Sequence, residues 1–137
     1  MNDEAFLDTN VLIYAFNRAD GRAVIADQLL ASGGVVSVQV LNEFVAVARR
    51  KLRAPWPEVV EALAMIRRLC GDPLPLTVAA HEAAVEIASR HGYGIYDAMI
   101  VATALQHGCR TLYSEDMQDG RRFDLRLDIK NPFTSVR

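Results

Sequence analysis

Cysteine and histidine are scarce in this sequence. The two cysteines, Cys70 and Cys109, are far apart, and the three histidines, His81, His91 and His107, are scattered. Two distant cysteines do not provide the disulfide framework of a small secreted domain, so we expect reduced thiols. The cysteines and histidines also do not cluster at spacings that bind zinc. The sequence therefore predicts neither a disulfide scaffold nor a zinc site.

Long apolar runs and nucleotide-binding motifs are lacking as well. No apolar stretch approaches the roughly 20 residues that cross a bilayer, and residues 1–4 are not basic like the start of a signal peptide. We therefore expect a cytoplasmic protein that does not associate with membranes. Gly92 and Gly94 lack the third glycine of a dinucleotide fingerprint and follow a predicted helix, and no P-loop sequence occurs.

The composition is that of a folded globular chain. Hydrophobic residues make up 51% of the 137 residues and charged residues 23%. At this length we expect a single domain over residues 1–137. Lysine and arginine number 15 against 17 acidic residues, for a net charge of −2. That balance argues against a broadly basic nucleic-acid binder, so the position of individual arginines matters more than the total.

Short apolar runs alternate with helical patterns along the chain. The runs predict strands at residues 6–7, 35–38, 74–76 and 110–114, and a half-exposed edge strand at residues 123–129. Helices are predicted after the cap or turn residues Thr9 and Asn10, and at residues 21–32, 40–52, 57–69, 78–89 and 96–106, with Asp20 and Thr77 as further caps. Strands that alternate with helices favour a central, mostly parallel sheet covered on both faces, a three-layer α/β/α sandwich.

Four acidic residues lie at the carboxyl ends of strands or at the starts of helices, where active sites and ligand-binding sites occur in such a sheet. Asp8 ends the first strand, Glu43 lies early in the helix after the second, and Asp116 follows the strand at residues 110–114. Connectivity places these three acids at one edge of the sheet. Asp97 begins the most apolar helix, but a helix and a loop precede it, so connectivity alone does not place it there.

Each acid also has a purely structural alternative. Asp8 and Asp116 can be polar residues of turns, and Glu43 can be a solvated residue at the boundary of a polar helix stripe. Asp97 can simply complement the dipole at the start of its helix. Neither Glu43 nor Asp97 has a cation one turn further along its helix, which favours a functional role for both.

Four carboxylates in one pocket would have a clear chemical consequence. They would repel one another, and each would resist ionisation. A fold tolerates such a cluster when it binds a hard cation, and an all-oxygen ligand set without histidine or cysteine indicates Mg²⁺ or Mn²⁺. Such a site leaves room for a phosphate and activates water. The acids therefore predict phosphodiester hydrolysis or phosphoryl transfer.

Five segments of the chain, in order along its whole length, resemble the sequence motifs of PIN-domain ribonucleases. They are residues 6–14 (FLDTNVLIY), 41–44 (LNEF), 96–104 (YDAMIVATA), 112–117 (LYSEDM) and 131–133 (NPF). The first and third motifs are specific, the second is short and the fourth is loose. Length and motif spacing are most similar to the VapC toxins of bacterial toxin–antitoxin pairs.

The resemblance implies a PIN-like fold and a metal-dependent endoribonuclease that is the toxin of such a pair. It implies that four carboxylates hold Mg²⁺ or Mn²⁺ and activate water for RNA cleavage, namely Asp8, Glu43, Asp97 and Asp116. Asn10 would help to orient Asp8, and Ser114 would contact the same network. A cognate antitoxin would occlude the site, and a homodimer is expected.

The fourth motif departs from the family pattern. PIN-domain ribonucleases often carry a second aspartate two residues after the first, followed by an aromatic residue. Here that place is Gln118, and Asp119 comes one residue later. The resemblance therefore leaves open whether Asp119 shares the role of Asp116.

Basic and aromatic residues near the acids are candidates for contact with RNA. The basic ones are Arg49, Arg50 and Arg53 on the Glu43 face of its helix, and Arg121, Arg122 and Arg126 after Asp116. Both groups can contact flanking phosphates, or they can be solvated basic faces, which is the interpretation we prefer for Arg67 and Arg68. Tyr93 and Tyr96 can stack on unpaired bases, or can be half-buried tyrosines.

Other functions fit parts of the pattern. A receiver-type signalling domain without nuclease activity also gathers acids and Mg²⁺ at the carboxyl edge of a parallel sheet, and residues 130–133 faintly resemble the end of such a domain. Against it, two predicted helices separate the second strand from the next extended piece. A housekeeping RNA-processing PIN nuclease, or a PIN-like module without catalysis, would share the fold, and the presence of all four acids argues against the module.

Overall fold

A computed structural model describes residues 4–117 and 119–135 of the chain. Within these ranges it contains six helices and four strands. In chain order they are β1 (Ala5–Leu7), α1 (Thr9–Phe16), α2 (Ala23–Ala31), α3 (Val38–Arg50), α4 (Trp56–Cys70), α5 (Val78–His91), α6 (Ile95–His107), β2 (Thr111–Tyr113), β3 (Arg122–Phe123) and β4 (Leu127–Lys130). None of these helices is both long and apolar enough to cross a membrane.

The sheet is mostly parallel, as the sequence predicts. Its order is β1-β2-β4-β3, with β1, β2 and β4 parallel and β3 antiparallel to β4. Two parallel bridges extend it beyond β1, one from Phe6 to Val35 and one from Ser37 to Leu74. The carboxyl ends of β1 and β2 are adjacent, because Leu7 pairs with Tyr113. This register places the residues that follow the two strands side by side.

The core is built on the middle of the sheet. Phe6, Leu112 and Ile129 are neighbours across three strands and are completely buried. Apolar residues of the helices join them in one hydrophobic cluster, and a smaller alanine cluster, which includes Ala84 and Ala98, joins α5 to α6. The result confirms the α/β sandwich.

Two predicted strands are reduced to single bridges. The strand predicted at residues 35–38 pairs only at Val35 and Ser37, because Ser37 caps α3 and the helix begins at Val38. Ser37 Oγ accepts a 3.2 Å hydrogen bond from the Val40 N–H. The strand predicted at residues 74–76 pairs only at Leu74, which has a proline on each side, and proline cannot donate to a sheet.

The predicted edge strand at residues 123–129 was wrong in two respects. The chain reverses between β3 and β4, and Asp124 and Leu125 occupy the left-handed region with φ of 51° and 57°. β4 then lies inside the sheet between β2 and β3, not at its edge. Phe123 and Leu127, on either side of the reversal, are buried in the core as the alternating pattern predicts. Leu125, which lies in the turn between them, is 87% exposed.

The helix caps differ in part from the predicted ones. Thr77 caps α5 as predicted, with Oγ1 accepting from the Ala80 N–H at 3.0 Å. Asp8, rather than Thr9 or Asn10, caps α1. Asp20 does not cap α2, because its carboxylate binds Arg22 instead.

Candidate active site

Asp8 lies at the junction of β1 and α1 and is almost wholly buried, with 4% of its surface exposed. Its Oδ1 accepts a 2.6 Å hydrogen bond from the Thr9 N–H, and its Oδ2 accepts one of 2.6 Å from Ser114 Oγ. Ser114 follows β2 directly, so the bond crosses the neighbouring ends of the two strands. The predicted contact of Ser114 with this network is therefore present.

The burial of Asp8 has an electrostatic cost. Burial raises the pKa of its carboxyl to about 6, and the charges of Asp97 and Glu43 raise it as well. The hydrogen bonds from Ser114 and Thr9 act in the opposite direction, because they favour the ionised form. The three acids therefore lie close enough to share one electrostatic environment.

Glu43 lies on α3 and is held by two neighbours. Its Oε2 accepts a 3.1 Å hydrogen bond from Gln39 Nε2 and a longer one of 3.4 Å from Thr9 Oγ1. Gln39 Nε2 also donates to the Tyr96 carbonyl at 2.9 Å, which links α3 to the first turn of α6. Burial and the charge of Asp97 raise the pKa of Glu43.

Gln39 and Thr9 are site residues that the sequence analysis missed. Gln39 precedes Glu43 by one helical turn on the same polar stripe, so helical spacing could have indicated that contact. Its bond to Tyr96 joins residues 57 positions apart, which no local pattern reveals.

Asp97 and Asp116 complete the group of acids. Asp97 lies in the first turn of α6, and burial together with the charge of Asp116 raises its pKa. Asp116 is exposed, and its Oδ2 accepts a 2.6 Å hydrogen bond from Asn10 Nδ2. Asn10 therefore contacts Asp116, whereas the family resemblance implied that it would orient Asp8.

Asp119 is engaged elsewhere. Its Oδ1 accepts a 2.9 Å hydrogen bond from the Asn131 N–H, just beyond the end of β4. Gln118, which stands where the family often has its second aspartate, lies outside the described residues. The structure thus gives Asp119 a structural contact and leaves Asp116 beside Asn10 and Asp97.

A cleft of about 270 Å³ opens beside the acids. Its lining includes Asp97, Asp116, Met117, Arg121, His91 and Tyr93. The lining of the cleft therefore includes two carboxylates and a guanidinium.

The three arginines predicted on the Glu43 face do not form one stripe. Arg49 Nη1 donates to the Ala54 carbonyl at 2.9 Å, and its guanidinium lies 4.6 Å from the centre of the Trp56 ring. Arg53 lies beyond the end of α3, with a φ of 52°, so the predicted helix to residue 52 was too long. Arg50 is exposed in the last turn of α3 and remains a candidate for contact with RNA.

The acids have the donor chemistry of a hard-cation site. Their ligand atoms are all carboxylate oxygens, which Mg²⁺ and Mn²⁺ prefer. Burial and the charges of neighbouring acids raise the pKa values of Asp8, Glu43 and Asp97. In residues 4–117 and 119–135, no three acidic, histidine or cysteine side chains are close enough to form a preformed ion site. The acids therefore have the ligand type that a divalent cation needs, and a cation would relieve the repulsion among their charges. In the described residues they are not yet close enough together to coordinate it.

The family comparison decides the wider identity of the chain. The PIN domain family model matches residues 5–122. The chain belongs to the PIN-domain family. The resemblance in the sequence motifs is thereby confirmed, and PIN-domain membership argues against the receiver-type alternative.

Two solved structures show which PIN domains this chain is similar to. VapC20 from Mycobacterium tuberculosis, described as a toxin that cleaves the sarcin-ricin loop, has a TM-score of 0.67 and 29% identity, covering 82% of this chain and 90% of its own. VapBC2 from Rickettsia felis, solved bound to a DNA fragment from its promoter, has a TM-score of 0.63 and covers 93% of this chain and 98% of its own. At 19% identity the second likeness shows the fold alone. A search of curated proteins gave no match.

Proposed function

We propose that this PIN domain is a metal-dependent endoribonuclease that uses Mg²⁺ or Mn²⁺. The observation that carries the proposal is the electrostatic contact among acids from four parts of the fold: Asp8 after β1, Glu43 on α3, Asp97 on α6 and Asp116 after β2. Burial and the charges of neighbouring acids raise the pKa values of Asp8, Glu43 and Asp97. In a PIN-domain chain, such a set is best explained by a cation that neutralises it and by a phosphodiester substrate.

Asp8, Glu43 and Asp116 each accept a hydrogen bond that helps to fix the position of the carboxylate. Thr9 and Ser114 orient Asp8, and Gln39 orients Glu43. Fixed ligands lose little freedom when a cation binds, so these neighbours favour productive geometry.

The proposed ligands are Asp8, Glu43, Asp97 and Asp116. A bound divalent cation would supply activated water and stabilise the negative charge that develops on the phosphate. Burial raises the pKa of Glu43, which makes its carboxylate a stronger base and suits it to accept the proton of the attacking water.

The surroundings of the acids fit a single-stranded substrate. Tyr96 is adjacent to Asp97 and 68% exposed, so its ring is available for stacking on an unpaired base. Tyr93 instead packs edge-to-face against Phe123, with ring centres 5.5 Å apart, and is only partly exposed. We therefore assign base stacking to Tyr96 and a supporting role to Tyr93.

A cleavage assay tests the proposed function. The purified protein, freed of any antitoxin, is incubated with a panel of structured and unstructured RNAs in Mg²⁺, in Mn²⁺ and in EDTA. We expect cleavage with either metal and none in EDTA. The variant Asp97→Asn should fold, as judged by circular dichroism and Tm, but should not cleave. Cleavage by this variant at the wild-type rate would show that the site is wrongly assigned.

We further propose that the protein is the toxin of a toxin–antitoxin pair, on the basis of its likeness to VapC20 and VapBC2. A groove of about 440 Å³ between α1, α2 and α4 is lined mainly by apolar side chains, among them Phe16, Leu30 and Met65. An amphipathic helix of an antitoxin fits such a groove. An RNA substrate and an antitoxin would both place the protein in the cytoplasm.

The antitoxin proposal has its own test. If a short protein encoded by a neighbouring gene inhibits cleavage, Met65→Glu should relieve that inhibition and leave cleavage itself intact. Val60→Glu is the matched control, because Val60 lies on the same helix α4 and is also exposed but does not line the groove. Equal inhibition of both variants would remove this groove from the antitoxin interface, and the absence of any such gene would favour a housekeeping nuclease.

The homodimer remains a prediction. Val78 and Val85 on α5 are exposed apolar residues, which is compatible with a contact between two copies. Sedimentation velocity at several protein concentrations would give the oligomeric state directly.

A further inference from the structure

Arg121 is the basic residue on the wall of the acidic cleft. It lines the same cleft of about 270 Å³ as Asp97 and Asp116. The other two arginines predicted on this flank do not line that cleft. Arg122 is paired with Asp128, Nε to Oδ1 at 2.6 Å, and Arg126 lines two cavities beside Leu105.

The guanidinium of Arg121 is held by aromatic rings. It lies 4.9 Å from the centre of the Phe123 ring and 5.3 Å from that of Tyr93. Phe123 is buried and packs edge-to-face against both Tyr93 and His91. A guanidinium on such rings is favourably placed and weakly hydrated, so little free energy is lost when it binds an anion.

A hydrogen bond to His91 fixes the head group further. Arg121 Nη2 lies 2.6 Å from His91 Nδ1. Arginine has no acceptor, so the guanidinium donates and His91 Nδ1 accepts, which places the histidine proton on Nε2. The guanidinium has five N–H donors and can keep this bond while it contacts a ligand.

We propose that Arg121 binds a backbone phosphate of a single-stranded RNA next to the phosphodiester that is cleaved. This inference rests on the proposed ribonuclease function. The acids alone would repel a polyanion, whereas the positive charge of Arg121 in the lining of the same cleft attracts it and sets its register. The planar guanidinium can bind two phosphate oxygens at once through a rigid fork of N–H donors, a geometry that the ammonium group of lysine does not provide.

The test measures RNA binding apart from cleavage. A fluorescently labelled, unstructured 12-nucleotide RNA of mixed sequence is titrated in Mg²⁺ with protein carrying Asp97→Asn, which prevents turnover, and anisotropy is followed at several NaCl concentrations. Arg121→Met and Arg121→Lys are compared in this background. Arg68→Met is the matched control, because it removes the same charge from α4, which contributes no residue to the cleft.

We expect Arg121→Met to weaken binding about tenfold, the usual scale for a charged hydrogen bond, and to reduce the slope of log K against log salt by about 0.7, the value for one phosphate on a single strand. Arg121→Lys should restore the slope but only part of the affinity. Arg68→Met should change neither. Tm values confirm that each variant is folded.

Kinetics in the wild-type background separate the possible failures. Arg121→Met should raise KM and leave kcat nearly unchanged. If wild-type protein cleaves RNA and Arg121→Met leaves both affinity and salt slope unchanged, Arg121 does not bind the substrate. A loss confined to kcat would likewise overturn the inference. If wild-type protein cleaves no RNA with either metal, the proposed function itself fails, whatever the behaviour of Arg121.

Discussion

Ser114 Oγ donates a 2.6 Å hydrogen bond to Asp8 Oδ2 across the adjoining ends of β1 and β2. Both residues are buried, so no bulk water competes for the bond. Burial raises the pKa of Asp8 to about 6 and the bond from Ser114 opposes that rise. Ser114 thus helps to keep Asp8 ionised, which is the form that a metal ligand requires.

Ser114→Ala should shift the acidic limb of the pH–rate profile to higher pH. Without the hydroxyl, the ionised form of Asp8 loses a stabilising contact and its pKa rises further. Ser89→Ala is the control, because the Ser89 hydroxyl bonds only the Glu86 carbonyl on α5 among the described contacts. If the two profiles coincide, the Ser114 bond does not set the ionisation of Asp8.

Asp8→Asn should stabilise the metal-free protein at neutral pH while abolishing cleavage. The folded-state pKa of Asp8, about 6, lies above the usual value of 3.8. The stabilising contribution of this group is therefore complete below pH 3.8 and is lost as the pH rises through about 6. At pH 7 the buried charge opposes folding.

Urea unfolding in EDTA measures this effect. At pH 7, Asp8→Asn is expected to raise the free energy of unfolding by on the order of 1–3 kcal/mol. This difference from the wild type should shrink towards zero as the pH falls to about 4. Mg²⁺ should stabilise the wild type and not the variant, because a ligand that binds only the folded state adds to its stability. A variant less stable than the wild type at pH 7 would refute the account.

Asp116→Asn should reduce catalytic activity, whereas Asp119→Asn should reduce only stability. Asp116 is beside Asn10 and Asp97, so its substitution should reduce cleavage by at least about tenfold, as loss of a metal ligand does. Asp119 binds the Asn131 N–H, so its substitution should cost about 1 kcal/mol of stability and leave cleavage intact. The reverse pattern would make Asp119 the functional acid of the fourth motif.

A network around Arg22 anchors the segment that carries Ser114 and Asp116. Arg22 Nη1 donates to Glu115 Oε2 at 2.9 Å and to Tyr14 Oη at 2.8 Å. Tyr14 Oη also donates to Glu115 Oε1, and Asp20 binds Arg22 on its other side. The network thus joins α1 to the residues after β2.

Arg22→Met should destabilise the protein by about 1–3 kcal/mol, because Glu115 and Tyr14 lose their partly buried cationic partner. A double-mutant cycle with Glu115→Gln should show coupling between the two residues, measured by urea unfolding. Arg18→Met is the control, since the Arg18–Asp27 pair is largely exposed. Additive effects of Arg22→Met and Glu115→Gln would mean that these two side chains do not stabilise the fold through their contact.

The sequence predicted the elements that local pattern determines. The apolar run before Asp8 and the apolar helix after Asp97 both have the predicted type, because burial of each follows from its own residues. The position of Asp97 beside the other acids depended instead on the packing of α6 against the rest of the fold, and the family motifs, not periodicity, indicated it.

Other features could not be obtained from local pattern. In sequence, residues 123–129 alternate apolar and polar residues like a single strand, although the chain reverses at Asp124 and Leu125. Phe123 and Leu127 are buried on either side of the turn, whereas Leu125 within it is exposed. Similarly, Arg121, Arg122 and Arg126 are equivalent candidates in the sequence. Only contacts in the folded protein distinguish them: Arg121 lines the acidic cleft, whereas Arg122 is paired with Asp128.

The central claim is that four acids bind a divalent cation together, namely Asp8 after β1, Glu43 on α3, Asp97 on α6 and Asp116 after β2. Calorimetric titration of metal-free protein with Mn²⁺ tests it most directly, with Asp97→Asn as the site variant and Asp119→Asn as the control. The account predicts saturable binding by the wild type and by Asp119→Asn, and binding weakened at least about tenfold in Asp97→Asn. Equal affinity in Asp97→Asn and the wild type, or no saturable binding by the wild type, would contradict it.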